Sequence, residues 1–246
     1  MSKSAAVFCL LVDACSAAPS ERHRRLRPVL DGSIVGGEPV DISQFPLAGL
    51  AAGLRISSMR RLHHQLHVGP DGSALPRPFK RKHAVRASWY LNSRKRRIRN
   101  HWPATQDYDF AVLELSGSIS FENNVQAVSL GNSELAAGTA VTITGWGNLS
   151  YGGNSTEQLR AVTTHIVERS ECNAAYGVRI TRRMICAGEK EGGKGSCQGD
   201  SGGPLVVATT QHGVVSWGTG CAYPGYPGVY CNVPAVSCWI TETTGV

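Results

Sequence analysis

Gly195-Ser196-Cys197-Gln198-Gly199-Asp200-Ser201-Gly202-Gly203-Pro204-Leu205 sets one serine between glycines, with an aspartate directly before it and a cysteine four residues back. Glycine has no Cβ, so the chain around Ser201 can adopt turns closed to other residues and hold the hydroxyl clear of the backbone. An activated nucleophile needs that presentation. The same freedom lets the N–H groups of Gly199 and Ser201 converge on one point, where charge developing on a carbonyl oxygen would be stabilised. A bare Gly-Asp-Ser-Gly is equally a glycine-rich turn; the longer run Gly-Asp-Ser-Gly-Gly-Pro behind Cys-Gln is far more specific.

Working outward, two further stretches have the same β character. Asp107-Tyr108-Asp109-Phe110-Ala111-Val112-Leu113-Glu114-Leu115 places an acid ahead of alternating apolar residues, so Asp109 sits where a strand enters the core. Ala140 to Gly147, Ala-Val-Thr-Ile-Thr-Gly-Trp-Gly, reads as a strand of period two closed by a Gly-Trp-Gly turn. With 246 residues, 28 Gly, 12 Pro and 41% hydrophobic residues the chain is globular and turn-rich, which excludes collagen, coiled coil and repeat arrays.

In these motifs the chain resembles the chymotrypsin/trypsin-like serine endopeptidases, over residues 34–50 and 98–244. The resemblance implies an all-β fold of two six-stranded antiparallel β-barrels with a C-terminal helix, and a hydrolase that cuts peptide bonds. It implies Ser201 as nucleophile, Asp109 as the residue that orients a catalytic histidine, and the Gly199 and Ser201 amides as the oxyanion hole. Ser216-Trp217-Gly218 matches the segment that pairs with an extended substrate as an added strand. Gly218 and Gly228 match the walls of the specificity pocket, and Gly195 stands at its floor, where trypsins carry an aspartate. Cys172 with Cys186, and Cys197 with Cys221, match two of the family's disulfides; Cys231 and Cys238 match none, and either pair together or stay as thiols. Disulfides suit a secreted protein. Polypeptide substrates, protein protease inhibitors and a monomeric state are further implied, with no cofactor, metal, nucleic acid or membrane.

Lys3 precedes an apolar run, Ala5 to Val12, and then small residues to Ala18, which reads as a signal peptide over 1–18. Residues 19–33 read as a pro-segment and 34–246 as the protease domain. Ile34-Val35-Gly36-Gly37 matches the N-terminus released by activation in the family. A freed Ile34 ammonium would be buried beside the Asp200 carboxylate, because a buried charge has to be paired. Ser33 departs from the tryptic pattern, in which Lys or Arg precedes the activating cut. Asn148-Leu149-Ser150 and Asn154-Ser155-Thr156 are N-glycosylation acceptor patterns in a Gly/Ser-rich loop.

Residues 51–97 break the pattern. Between 51 and 100 there are 13 Lys or Arg against the single acid Asp71, a net of +12 in a chain whose total is +7. Such a run can bind polyanions or be a solvated loop, and neither suits the middle of a barrel, so the first barrel is expected to be incomplete. The family's Thr-Ala-Ala-His-Cys box is absent here, and His63, His64, His67, His83 and His101 lie in foreign contexts. A shift of reading frame accounts for both features. Met59 has only the codon ATG, and a CGN codon for Arg60 gives TGC, cysteine, one base later. From Met59 to Leu75 the permitted codons in that frame can spell Cys-Gly-Ala-Ser-Ile-Ile-Ser-Ser-Thr-Trp-Ala-Leu-Thr-Ala-Ala-His-Cys. Three function classes therefore stand: a secreted serine endopeptidase whose base lies in the shifted frame, a catalytically inactive homologue acting as a binding protein, and a polyanion-binding protein working through residues 51–100.

Overall fold

The computed structural model of the protein describes residues 34–45, 67–68, 74–75, 94–97, 105–114, 121, 125–177 and 179–245. The expected signal peptide and pro-segment, and the histidines at 63, 64, 83 and 101, lie outside the described residues.

Six strands close a barrel. They are β7 (Ala140–Gly145), β8 (Arg160–Val167), β9 (Met184–Gly188), β10 (Pro204–Val207), β11 (Thr210–Trp217) and β12 (Gly228–Asn232), paired antiparallel in the order β8-β7-β10-β11-β12-β9, with β9 returning to β8. In β8 the alternation puts Val162, Thr164 and Ile166 inward and Thr163 and His165 outward, as a half-buried strand requires. The register sets Ile143 opposite both Val162 and Leu205, and Tyr230 opposite Ile185 and Val215. These residues, with Val141, Ile166, Ala187 and Ile34, are the core of the barrel. Closure leaves no open edge among the six strands.

The remaining described elements pack around this barrel. β1 (Glu38–Pro39) pairs with β8, and β6 (Ser129–Leu130) runs parallel to the start of β11. Helix α1 (Arg169–Tyr176) lays Cys172 and Tyr176 against Met184, Cys186 and Val229. Outside the second barrel, β2 (His67–Val68) pairs with β3 (Ala74–Leu75), and β4 (Arg94–Arg97) with β5 (Ala111–Glu114). The expected C-terminal helix is present: Pro234 lies in a 3-10 turn, Val233–Val236, and helix α2 (Ser237–Thr244) follows it. Ile240 of α2 joins Val236, Val233, Val214, Cys231 and Phe110 in a second cluster behind the barrel.

Leu205 is fully buried at the centre of this core. Leu205→Ala removes packed methyl groups and leaves a cavity, so it is expected to lower stability by about 2–5 kcal/mol. Urea unfolding with an unchanged m-value measures it; a loss well under 1 kcal/mol would mean that Leu205 is not packed as described.

Candidate active site

Ser201 is exposed at the turn that precedes β10. The turn is wound by the Asp200 amide donating to Cys197 O at 3.0 Å and the Gly203 amide donating to Asp200 O at 2.8 Å. It is fastened to β11 through Gly202 N to Val215 O, 3.0 Å, and Val215 N to Gly203 O, 2.9 Å. Among the described residues the amides of Gly199 and Ser201 donate to nothing. Gly199 has φ 97°, a left-handed conformation that L side chains rarely adopt, so the position favours glycine.

Asp200 is 3% exposed, and both carboxyl oxygens accept backbone donors: Oδ1 from Gly147 N at 2.7 Å, Oδ2 from Cys197 N at 3.0 Å. The approach at Gly147 is close enough that a Cβ there would lie 2.5 Å from the carboxyl group. The segment beginning at Ile34 lies within the barrel: Ile34 is fully buried, and Val35 O accepts the Gly195 amide at 3.1 Å.

Asp109 stands just ahead of β5, 9% exposed, and its Oδ2 accepts the Ser216 hydroxyl at 3.1 Å. The aim of Ser216 comes from a bulge. Val215 pairs with Tyr230 and Trp217 with Val229, so Ser216 is the extra residue in the ladder. β11 thus runs through Trp217. The Cys231 thiol donates to Asp109 O at 3.1 Å, and Phe110 is anchored against Val214 and Cys231. Two residues earlier, Asp107 accepts Arg183 Nε at 2.8 Å, a second Arg183 nitrogen at 2.5 Å and the Thr181 hydroxyl at 2.8 Å. Arg183 also lies over the Tyr108 ring, 4.2 Å from its centroid. Burial pushes the Asp107 carboxyl up, but its bonds to Arg183, Thr181 and the Tyr108 amide outweigh that and hold it below the usual range.

The candidate pocket collects Gly195, Gly218 and Gly228 with two residues the sequence did not single out. The Ser196 and Tyr230 hydroxyls hydrogen-bond at 3.2 Å, and a Cβ at Gly228 would lie 2.9 Å from the Tyr230 hydroxyl. Tyr176 braces one wall, donating to Pro227 O at 2.7 Å and accepting the Thr219 amide at 3.3 Å, and its ring packs on Trp217 at 4.9 Å. The inward phase of Tyr230 in β12 was the available signal for it; Ser196 carried none beyond adjacency to Cys197. Both expected disulfides form, Cys172–Cys186 and Cys197–Cys221, while Cys231 and Cys238 take part in no disulfide among the described residues.

Of the eight histidines, His165 and His212 have described side chains. His165 is bonded to Glu189 at 3.0 Å, and His212 packs on Gly131 with Nδ1 unpartnered. Neither meets Asp109 or Ser201.

The trypsin family model matches residues 82–240, well over half of the chain. The chain belongs to the trypsin-like serine endopeptidases. It is 39% identical over 229 residues to Trypsin 5G1 of Aedes aegypti, covering 87% of this chain and 86% of that protein. It is 36% identical over 255 residues to Trypsin alpha-4 of Lucilia cuprina, covering 98% of each. Identity rises to 50% with Trypsin-1 of Astacus astacus over a shorter match of 139 residues, 54% of this chain and 59% of that one.

Tyr230 gives the site an alkaline limit. Burial raises its hydroxyl from 10.0 to about 12, against the lowering pull of its Ser196 bond. Above pH 10 the unfolded chain releases this proton while the native state keeps it, so stability falls between pH 10 and about 12. Tyr230→Phe is expected to flatten that part of the stability–pH curve, measured by urea unfolding; an unchanged slope would show that the hydroxyl does not titrate as described.

Proposed function

We propose that the protein is a secreted, extracellular serine endopeptidase, made with a signal peptide over 1–18 and a pro-segment over 19–33, that hydrolyses peptide bonds through an acyl-enzyme on Ser201. The Ser201 oxygen attacks the carbonyl carbon while a histidine takes its proton and then passes it to the leaving amine. Water repeats the step to release the acid. Asp109 orients that histidine, the Gly199 and Ser201 amides hold the oxyanion, and the freed Ile34 ammonium pairs with Asp200 after activation. The observation that carries the reading is the Asp109–Ser216 hydrogen bond beside two unengaged amides next to an exposed serine, in a chain of this family.

The base is encoded in the shifted frame, across Ala74 and Leu75, and the basic character of 51–97 belongs to an unintended frame. The absence of the family's histidine box from this window, together with its sudden basic charge, supports this. Sequencing independent cDNA and genomic clones through codons 48 to 98 tests it; an uninterrupted frame encoding these same residues would end the idea. The chain as written then behaves as the inactive homologue. Loss of a triad member costs on the order of 10⁶ in turnover, so Ser201 is expected to resist a fluorophosphonate probe. Stoichiometric labelling would contradict that.

Specificity follows from the uncharged floor. Gly195 brings no carboxylate and Tyr230 keeps its proton, so the frame-restored, activated protein is expected to cut after Phe, Tyr or Leu in preference to Lys or Arg. Pocket mismatches of this kind are worth about 1–3 kcal/mol per methylene, which gives preference rather than exclusivity. A peptide library reads it directly, and dominant cleavage after Arg would overturn it.

A further inference from the structure

The loop between β7 and β8 carries two acceptor patterns that catalysis does not use, and the structure treats them differently. Asn148 is half-buried and locked by its backbone. Its amide donates to Gln198 O at 2.7 Å, it bridges to Ser155, and its nitrogen lies 4.0 Å from where a Cβ on Gly199 would stand. Its partner, Ser150, is exposed, with its hydroxyl close against Gly153, where a Cβ would meet it at 2.4 Å. Asn154 stands on the returning limb and is exposed. Its backbone oxygen accepts the Leu149 amide at 2.9 Å, which fixes the limb, while its carboxamide makes no hydrogen bond. Two glycines precede it, Gly152 with φ 69°, so the approach is open. The Thr156 hydroxyl that completes the pattern is held by Gln158, donating to its oxygen at 3.1 Å and accepting its amide at 3.0 Å.

We infer that Asn154 is an N-glycosylation site and that Asn148 is not. The inference rests on the secreted reading above. The donor is a lipid-pyrophosphate-linked oligosaccharide: the Asn154 Nδ2–C1 bond forms, the C1–O bond to phosphate breaks, the lipid pyrophosphate leaves and the Nδ2 proton goes to solvent. A glycan at Asn154 leaves the folded loop without displacing anything. A glycan at Asn148 would have to emerge from a half-buried position against the oxyanion segment. The loop also contacts that segment through Gly152 N to Gln198 Oε1 at 3.4 Å, so the sugar stands on the loop that flanks Ser201.

The full chain is expressed in insect cells with its own N-terminus and, in parallel, behind a heterologous cleavable signal sequence. Treatment with a peptide N-glycanase in heavy-oxygen water converts a glycosylated asparagine to aspartate bearing one heavy oxygen, which peptide mass spectrometry locates. The label is expected at Asn154, lost completely in Asn154→Gln and Thr156→Ala, and retained in Asn148→Gln and Thr156→Ser. Glycan on the heterologous-signal form alone would uphold the site while overturning the signal peptide of this chain. A label at Asn148, or protein secreted from the heterologous signal with no sugar, would overturn the inference.

Discussion

The buried carboxyl group of Asp200 is the constraint around which the described part of the molecule is arranged. A carboxyl group taken from water has to regain its hydrogen bonds inside the protein, and the cost of leaving it unmet is several kcal/mol. Here Gly147 and Cys197 supply backbone N–H groups to the two oxygens. That requirement draws the end of β7 against the nucleophile loop and forbids a side chain at Gly147. The same turn contains the Gly199 and Ser201 amides, which donate to nothing among the described residues. The oxyanion role proposed for them therefore builds on a turn that also serves Asp200.

The parts of this arrangement that could be read from sequence are those set by neighbours along the chain. The alternation in Ala140–Gly145 and the acid ahead of Ala111–Glu114 are local, and each took the expected place; the Cys197–Cys221 disulfide came from the family resemblance and also forms. The aim of Ser216 depends on its being the extra residue between Val215 and Trp217, and a bulge is a property of two strands. The Ser196–Tyr230 bond joins residues 34 apart, and Asp107–Arg183 joins residues 76 apart. Periodicity is silent on such pairs. Pro234 is compatible with the first turn of a helical segment, so the chain coils through Val233–Val236 into the closing helix, Ser237–Thr244.

Residues 51–97 differ in kind. Elsewhere local propensity, burial pattern and long-range pairing agree, which is the mark of a sequence that specifies its fold. In this window 12 cations stand against the single acid Asp71, and no alternation of apolar residues offers a core-facing strand.

Asp109 nevertheless holds a defined position among the described residues, because it is fixed from three directions. Behind it, Phe110 is buried in the cluster built by Val214, Cys231 and Ile240. In front, the bulged Ser216 donates to its carboxyl group. To one side, Asp107 is clamped by the guanidinium of Arg183, whose backbone oxygen in turn accepts the Asn232 amide from β12 at 2.8 Å. A planar fork that bonds a carboxylate through two nitrogens fixes direction as well as distance. Every one of these anchors comes from residues 107–240. Asp109, the turn carrying Ser201 and the Gly199 and Ser201 amides, on which the proposed chemistry draws, are thus held by contacts among these described residues. On that proposal the histidine is the one member whose support has to come from residues 51–97.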